Sequence, residues 1–160
     1  MTSLRPRPSG LALIVLIAAG GACAGVARAQ PVTVKDAWVR APAPGQKVAG
    51  AYMELVSRTP TALTSVTSPV AARVELHSTS MEGGVMKMRP VARVELPAGK
   101  AVRLAPGGLH IMLVDLRQQL QPGDRVELVL TVQSADPASR SVFTVQAEVR
   151  NPGVEASHRH

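Results

Sequence analysis

The chain has 160 residues, of which 46% are hydrophobic and only 2% aromatic, and it carries 18 Lys and Arg against 11 Asp and Glu. The basic residues are scattered, and Trp, Tyr and Phe occur once each. This composition does not favour nucleic-acid binding, which depends on clustered positive charge and stacking side chains. The length suits one domain with an ordinary core once an N-terminal leader is set aside.

The first 29 residues have the features of a cleaved export signal. Arg5 and Arg7 precede an apolar run, Leu11 to Ala19, which leads to the small-residue motif Ala27-Arg28-Ala29. This order is typical of a Sec-type signal peptide that is cut after Ala29. The run is too short to span a bilayer, and no other stretch approaches the roughly 20 apolar residues that a span needs. We therefore expect a periplasmic protein that begins at Gln30 and has no membrane span.

The single cysteine, Cys23, lies inside this leader. Lipidation at Cys23 is the less favoured alternative, because Gly20-Gly21-Ala22 lacks the branched apolar residue expected three positions upstream of a lipid acceptor. Cleavage after Ala29 leaves a mature chain without cysteine. Disulfides, thiolate metal sites and cysteine nucleophiles are then excluded.

The sequence pattern of residues 30–150 predicts one all-β domain. Short segments rich in Val, Thr, Leu and Ile alternate with Pro and Gly turns, and none has an apolar period long enough for a substantial helix. A Greek-key sandwich or barrel is expected, because each half-apolar sheet must bury its inner face. Trp38, Tyr52 and Phe143 are interpreted as core residues. The predicted strands are Val32 to Val39, Ala49 to Ser57, Thr61 to Val66, Ala72 to Thr79, Val85 to Val94, Ala101 to Leu104, His110 to Leu116, Arg125 to Gln133 and Ser141 to Val149.

Gly83-Gly84 predicts a two-residue hairpin turn, because both positions can adopt positive φ. The cross-strand pairs that follow from this turn are Met81 with Met86, Thr79 with Met88 and His77 with Pro90. The histidine and the three methionines of this segment then project from one side of the hairpin. His77 and Met88 become diagonal neighbours, roughly 7 to 8 Å apart at the backbone. An imidazole and a thioether at that separation can hold one ion.

A second donor pair lies in His110-Ile111-Met112. The two-residue period of a strand puts His110 and Met112 on the same face. The preceding Gly107-Gly108 predicts a tight bend, which places His110 near the end of a sheet.

The four donors favour a particular metal. Imidazole and thioether groups are neutral and borderline or soft, so together they favour Cu(I) over hard cations and over Zn(II). A blue-copper centre is excluded because it requires a cysteine thiolate. We predict His77, Met88, His110 and Met112 as Cu(I) ligands, with Met86 and Met81 as auxiliary candidates.

The spacing of these four residues, H-x10-M-x21-H-x-M, resembles the signature of the PCu(A)C family of periplasmic copper chaperones. The resemblance covers Val32 to Val149. Segments that look like family segments, in the same order, are Asp36-Ala37-Trp38-Val39-Arg40, Ala51-Tyr52, Val74-Glu75-Leu76-His77, Gly84-Val85-Met86-Lys87-Met88-Arg89, Leu96-Pro97-Ala98-Gly99 and Leu104 to Leu113. One departure is Ser78, where some members have Met.

The resemblance implies a cupredoxin-like Greek-key β-sandwich with the four residues as copper ligands. It also implies capture of Cu(I) and its delivery to the Cu(A) centre of cytochrome c oxidase, so that the copper-bearing oxidase subunit or a Sco-type protein is the expected partner. We expect a monomer without enzymatic activity.

Other functions stay open at this point. They are copper storage or resistance, a copper-dependent redox enzyme, and a β-sandwich module that binds no metal. The polar segment 151–160 is expected to be a flexible tail, and its His158 and His160 are left out of the main site because two histidines in a short tail bind metal only weakly.

Overall fold

A computed structural model describes residues 31–134 and 139–151. The described part of the chain contains ten strands and no helix, and thus no helix that could cross a membrane. The predicted leader with Cys23, and the tail histidines His158 and His160, lie outside the described residues. The strands are β1 (Val32–Arg40), β2 (Val48–Ser57), β3 (Thr61–Thr67), β4 (Ala71–Glu82), β5 (Val85–Pro90), β6 (Val94–Leu96), β7 (Ala101–Leu104), β8 (Leu109–Leu116), β9 (Arg125–Ser134) and β10 (Arg140–Arg150).

All ten strands belong to one hydrogen-bonded sheet. Its order is β5-β4-β8-β2-β1-β10-β9-β3-β6, and β7 pairs with β2. Several neighbours, such as β4 with β8 and β3 with β9, are far apart in sequence, as Greek-key connections require. Leu55, Leu63, Ile111 and Leu130 come from four different strands and share one buried cluster. The sheet therefore folds over so that its two halves enclose a common core, and the all-β prediction is confirmed.

The segment predicted as one strand, Val85 to Val94, forms parts of two strands, β5 and β6, in the structure. Strand β5 ends at Pro90, which has no N–H to donate to a further ladder bond. The N–H of Val91 makes the last link to β4, donating to the carbonyl of Leu76 at 2.8 Å. The chain then crosses to β3, where Val94 of β6 pairs with Leu63 of β3. Proline and this crossover explain the error in the predicted boundary.

A bulge in β1 determines which residues face the site described below. The register against β2 shifts between Lys35 and Trp38, and Asp36 adopts a φ of 46°. The extra residue aligns Trp38 with Tyr52. The adjacent pair, Val39 with Ala51, points into the core. Trp38 and Tyr52 are therefore buried as predicted, but on the outer face of the sheet, whereas Phe143 joins the core cluster.

Candidate metal centre

The β4–β5 hairpin has the register that its Gly-Gly turn predicts. Gly83 and Gly84 have φ values of 60° and 78°, as a primed two-residue turn requires. The observed pairs include Met81 with Met86, Thr79 with Met88 and His77 with Pro90. Alternation along both strands therefore projects His77, Met81, Met86 and Met88 from one face.

Strand β8 brings the second donor pair next to the first. It lies antiparallel to β4, with His110 opposite His77 and Met112 opposite Glu75. Opposed residues of an antiparallel pair point to the same side. All four predicted ligands thus share one face of β5, β4 and β8. His77 is central, with His110 directly across and the two methionines at diagonal positions on either side.

The two imidazoles are close enough to share one ion. Their ring centres are 5.8 Å apart at an interplanar angle of 80°. In zinc sites the metal–nitrogen distance is about 2.0–2.1 Å, which puts the ion roughly 3.2 Å from the centre of the imidazole ring. Two rings that bind the same ion therefore have centres no more than roughly 6.4 Å apart. Both rings are also shielded from water, with the His77 side chain 14% exposed and His110 5% exposed.

The loop before β8 fixes the tautomer of His110. Its Nδ1 lies 3.0 Å from the carbonyl oxygen of Gly108, and because a carbonyl only accepts, Nδ1 carries the proton. The same carbonyl accepts the N–H of Thr79 at 3.0 Å, which ties the loop to β4. The lone pair of His110 is therefore on Nε2.

A carboxylate fixes the tautomer of His77 in the opposite sense. Its Nε2 lies 2.9 Å from Oε2 of Glu75, to which it donates, so the lone pair is on Nδ1. That Nδ1 atom is buried and has no hydrogen-bond partner among residues 31–134 and 139–151. Buried polar atoms in native proteins are normally paired. A buried, unpaired imidazole nitrogen beside a second imidazole is suited to binding a metal ion.

The thioethers are placed less tightly than the imidazoles. Met112 is half-buried, whereas Met88 is 50% exposed on the edge strand. Met86 and Met81 are farther out, toward the hairpin tip, and are 61% and 67% exposed. The structure thus brings the two histidines into ring contact and places the methionines beside them, with the most exposed donors toward the sheet edge.

Two residues of the site were not identified from the sequence. Glu75 orients His77, and a glutamate two residues before a histidine on one strand face is the signal that could have indicated it. Tyr52 forms the wall on β2, with its ring centre 6.5 Å from that of His110 and 4.5 Å from that of Trp38. A Cβ at Gly50 would lie 2.5 Å from the Tyr52 hydroxyl oxygen. Glycine is needed there because the tyrosine ring lies over the backbone.

Hard-cation chemistry is not supported by the described side chains. Residues 31–134 and 139–151 contain no group of three or more His, Cys, Asp or Glu positioned to hold a metal ion. The two imidazoles share their face with the thioethers of Met88 and Met112, and a donor set of imidazole and thioether groups suits a soft ion.

The chain is similar in sequence to a family and to a protein that are both named as lipoproteins. The family model LpqE-like, with the description "Putative lipoprotein LpqE-like", matches residues 32–147. The protein "Putative lipoprotein Lxx21020" of Leifsonia xyli subsp. xyli (strain CTCB07) is 32% identical over 104 residues, which make up 64% of this chain. The match spans 63% of the length of that relative.

Solved structures of PCuAC domains have the same fold. The copper-bound PCuAC domain from PmoF2 is 27% identical, with a TM-score of 0.63 over 77% of this chain and 95% of that domain. The apo form of DR1885 from Deinococcus radiodurans is 30% identical, with a TM-score of 0.58 over 95% of this chain and 97% of that protein. The Cu(I) form of DR1885 is 32% identical, with a TM-score of 0.59 over 78% of this chain and 81% of that protein. These likenesses confirm the cupredoxin-like fold, and with the family match they show that the chain belongs to the LpqE-like family of PCuAC-type domains.

Proposed function

We propose that this protein is an exported chaperone that holds one Cu(I) ion between His77, His110, Met88 and Met112 and passes it to a protein acceptor. The observation that carries the proposal is the buried Nδ1 of His77, which has no hydrogen-bond partner in the described structure and belongs to a ring 5.8 Å from that of His110. The structural relatives support it, since two of them are a copper-bound PCuAC domain and a Cu(I) form of DR1885.

The distribution of exposure suits transfer better than storage. The imidazoles are held by Gly108 and Glu75, whereas Met88 is half exposed to solvent on the edge strand. An acceptor can therefore replace the exposed thioether first while the buried nitrogens still hold the ion. All four donors are neutral, so each exchange replaces one ligand with another and leaves the copper as Cu(I).

The acceptor belongs to the proposal as well. Family resemblance supports delivery to the Cu(A)-bearing subunit of cytochrome c oxidase or to a Sco-type protein, in the periplasm and by a monomeric chaperone. The sequence relatives are named as lipoproteins, which supports export. A copper-dependent redox enzyme would instead turn over ascorbate and oxygen when loaded, and we expect no such turnover.

Metal stoichiometry under anaerobic, reducing conditions tests the proposal. We expect one tightly bound Cu(I) per chain, followed by loss of that copper to a soluble oxidase Cu(A) domain or Sco-type domain added in excess. A protein that takes up no tightly bound Cu(I), or keeps it in the presence of both acceptors, would contradict the chaperone function.

Replacing Glu75 by Ala is expected to weaken Cu(I) binding by about 10- to 100-fold, the usual effect of removing the partner that orients a metal-binding histidine. The carboxylate accepts a hydrogen bond from Nε2 of His77 and so keeps the lone pair on Nδ1, and Glu75→Ala frees the ring to rotate. Glu75→Gln is the matched control, because its amide oxygen can still accept the hydrogen bond. Competition titration against a Cu(I) chelator measures both, and equal affinities for Glu75→Ala and the native protein would rule out the orienting role.

A further inference from the structure

We propose a second, outer Cu(I) site on the β4–β5 hairpin, formed by the thioethers of Met81, Met86 and Met88, through which copper enters and leaves the inner histidine site. This inference rests on the proposed function, because it assigns the route to the site that holds the ion. Met88 belongs to both donor sets and connects them.

The exposure of these side chains is the first reason. Within the described residues the exposed large hydrophobic side chains number six, and four of them, Met81, Val85, Met86 and Met88, lie on this one hairpin. An exposed methionine buries little apolar area and so contributes little to stability. Packing therefore does not explain three thioethers at one sheet edge, whereas metal chemistry does.

The register places the three sulfur-bearing side chains together. Met81 lies directly opposite Met86, and Met88 opposite Thr79, so Met88 is diagonal to Met81 on the same face. Directly opposed residues have Cβ atoms about 4.5–5.5 Å apart, and diagonal neighbours are roughly 7–8 Å apart. Three flexible thioethers at these separations can converge on one soft ion.

Charge is kept on the other face of the hairpin. Glu82 binds both Lys87 Nζ and Arg89 Nη2 at 3.0 Å. Strand alternation puts these cations on the face opposite the thioethers. The ion pairs stabilise the hairpin without using a methionine, and between His77 and Pro90 no lysine or arginine lies on the methionine face.

Transfer along this face needs only ligand exchange. Copper held by Met81, Met86 and Met88 keeps Met88 as it gains Nδ1 of His77 and Nε2 of His110. It then exchanges the two outer sulfurs for the thioether of Met112. Neutral donors replace neutral donors, so no proton or electron moves and the ion remains Cu(I).

Methyl NMR on the full chain with 13C-methyl methionine tests the site directly, with Cu(I) supplied as its acetonitrile complex under anaerobic conditions. We expect the first equivalent to shift the Met88 and Met112 methyl signals and the second to shift Met81 and Met86. Met53 is buried in the core and serves as the internal control, because its methyl signal should not shift. Unmoved Met81 and Met86 signals at the second equivalent would overturn the outer site.

Transfer kinetics provide the second measurement. The double variant Met81→Leu/Met86→Leu keeps the apolar volume but removes both sulfurs. We expect it to retain the native affinity for the first Cu(I) and to transfer that ion to a chelator about ten-fold or more slowly, the lower end of the effect of losing residues that support a metal site. Val85→Ala, exposed on the other face of the same hairpin, is the control and should transfer at the native rate. A double variant that transfers at the native rate overturns the relay.

The two measurements separate this inference from the function on which it rests. A first equivalent that shifts Met112 shows the inner site to be intact, whatever happens at Met81 and Met86. Failure of the first equivalent to move Met112 would refute the inner site, and the relay with it.

Discussion

Replacing His110 by Ala is expected to lower the affinity for Cu(I) by about 100-fold or more, since loss of a ligand should exceed the 10- to 100-fold effect of losing a residue that only orients one. The His110 ring is 5% exposed and its Nε2 carries the free lone pair, so the substitution removes a nitrogen donor at a buried position. Competition against a Cu(I) chelator of known affinity measures the loss. Met88→Ala is expected to act in the same direction with a smaller effect, because its thioether is half exposed.

Ile111 offers a matched control for His110 in the same strand. Its side chain points to the core and is fully buried, so Ile111→Val removes one methyl group and destabilises the fold by about 0.5–1.5 kcal/mol. Copper affinity should not change. If His110→Ala bound Cu(I) as tightly as Ile111→Val, the ligand assignment would be refuted.

Saturation with Cu(I) is expected to raise the melting temperature by roughly 10 °C or more. A free-ion concentration 1,000-fold above the Kd stabilises the folded state by about 4 kcal/mol. Each kcal/mol corresponds to a shift of roughly 2–8 °C for domains in this size range. Thermal denaturation followed by circular dichroism, with and without Cu(I) under anaerobic conditions, measures the shift.

The His77→Ala/His110→Ala variant is the control for this thermal shift. It lacks both buried nitrogens and should show a clearly smaller rise with Cu(I), because only the thioethers remain to bind the ion. An unchanged melting temperature in the native protein would favour a β-sandwich module that binds no metal. A rise of equal size in the double variant would show that copper binds elsewhere.

The local part of the site could be predicted because it depends on short-range rules. Two glycines fix the hairpin turn, and counting outward from Gly83-Gly84 gives every pair between His77 and Pro90. The two-residue period likewise puts His110 and Met112 on one face. Neither rule shows that β8 pairs with β4, and nothing in the periodicity of the chain places His110 opposite His77 across 33 residues. Only the family resemblance joined the two halves.

The features that the sequence analysis missed depend on contacts between distant segments. The bulge at Asp36 makes Trp38, and not Ala37, the partner of Tyr52, and that choice moves both aromatic rings to the outer face. The break at Pro90 follows from a crossover to β3 whose destination is set by burial of Val94. Glu75 was visible as a neighbour of His77, but its role depends on the imidazole rotating toward it.

The position of β5 at the border of the sheet has a consequence for solubility. An edge strand leaves backbone N–H and C=O groups unpaired, so a strand of another chain can pair with it, and long apolar edge strands lead to aggregation. Here Lys87 and Arg89 add charge to the strand, and Pro90 removes one of its donors. The molecule can therefore expose its methionine side chains to solvent without promoting edge-to-edge aggregation.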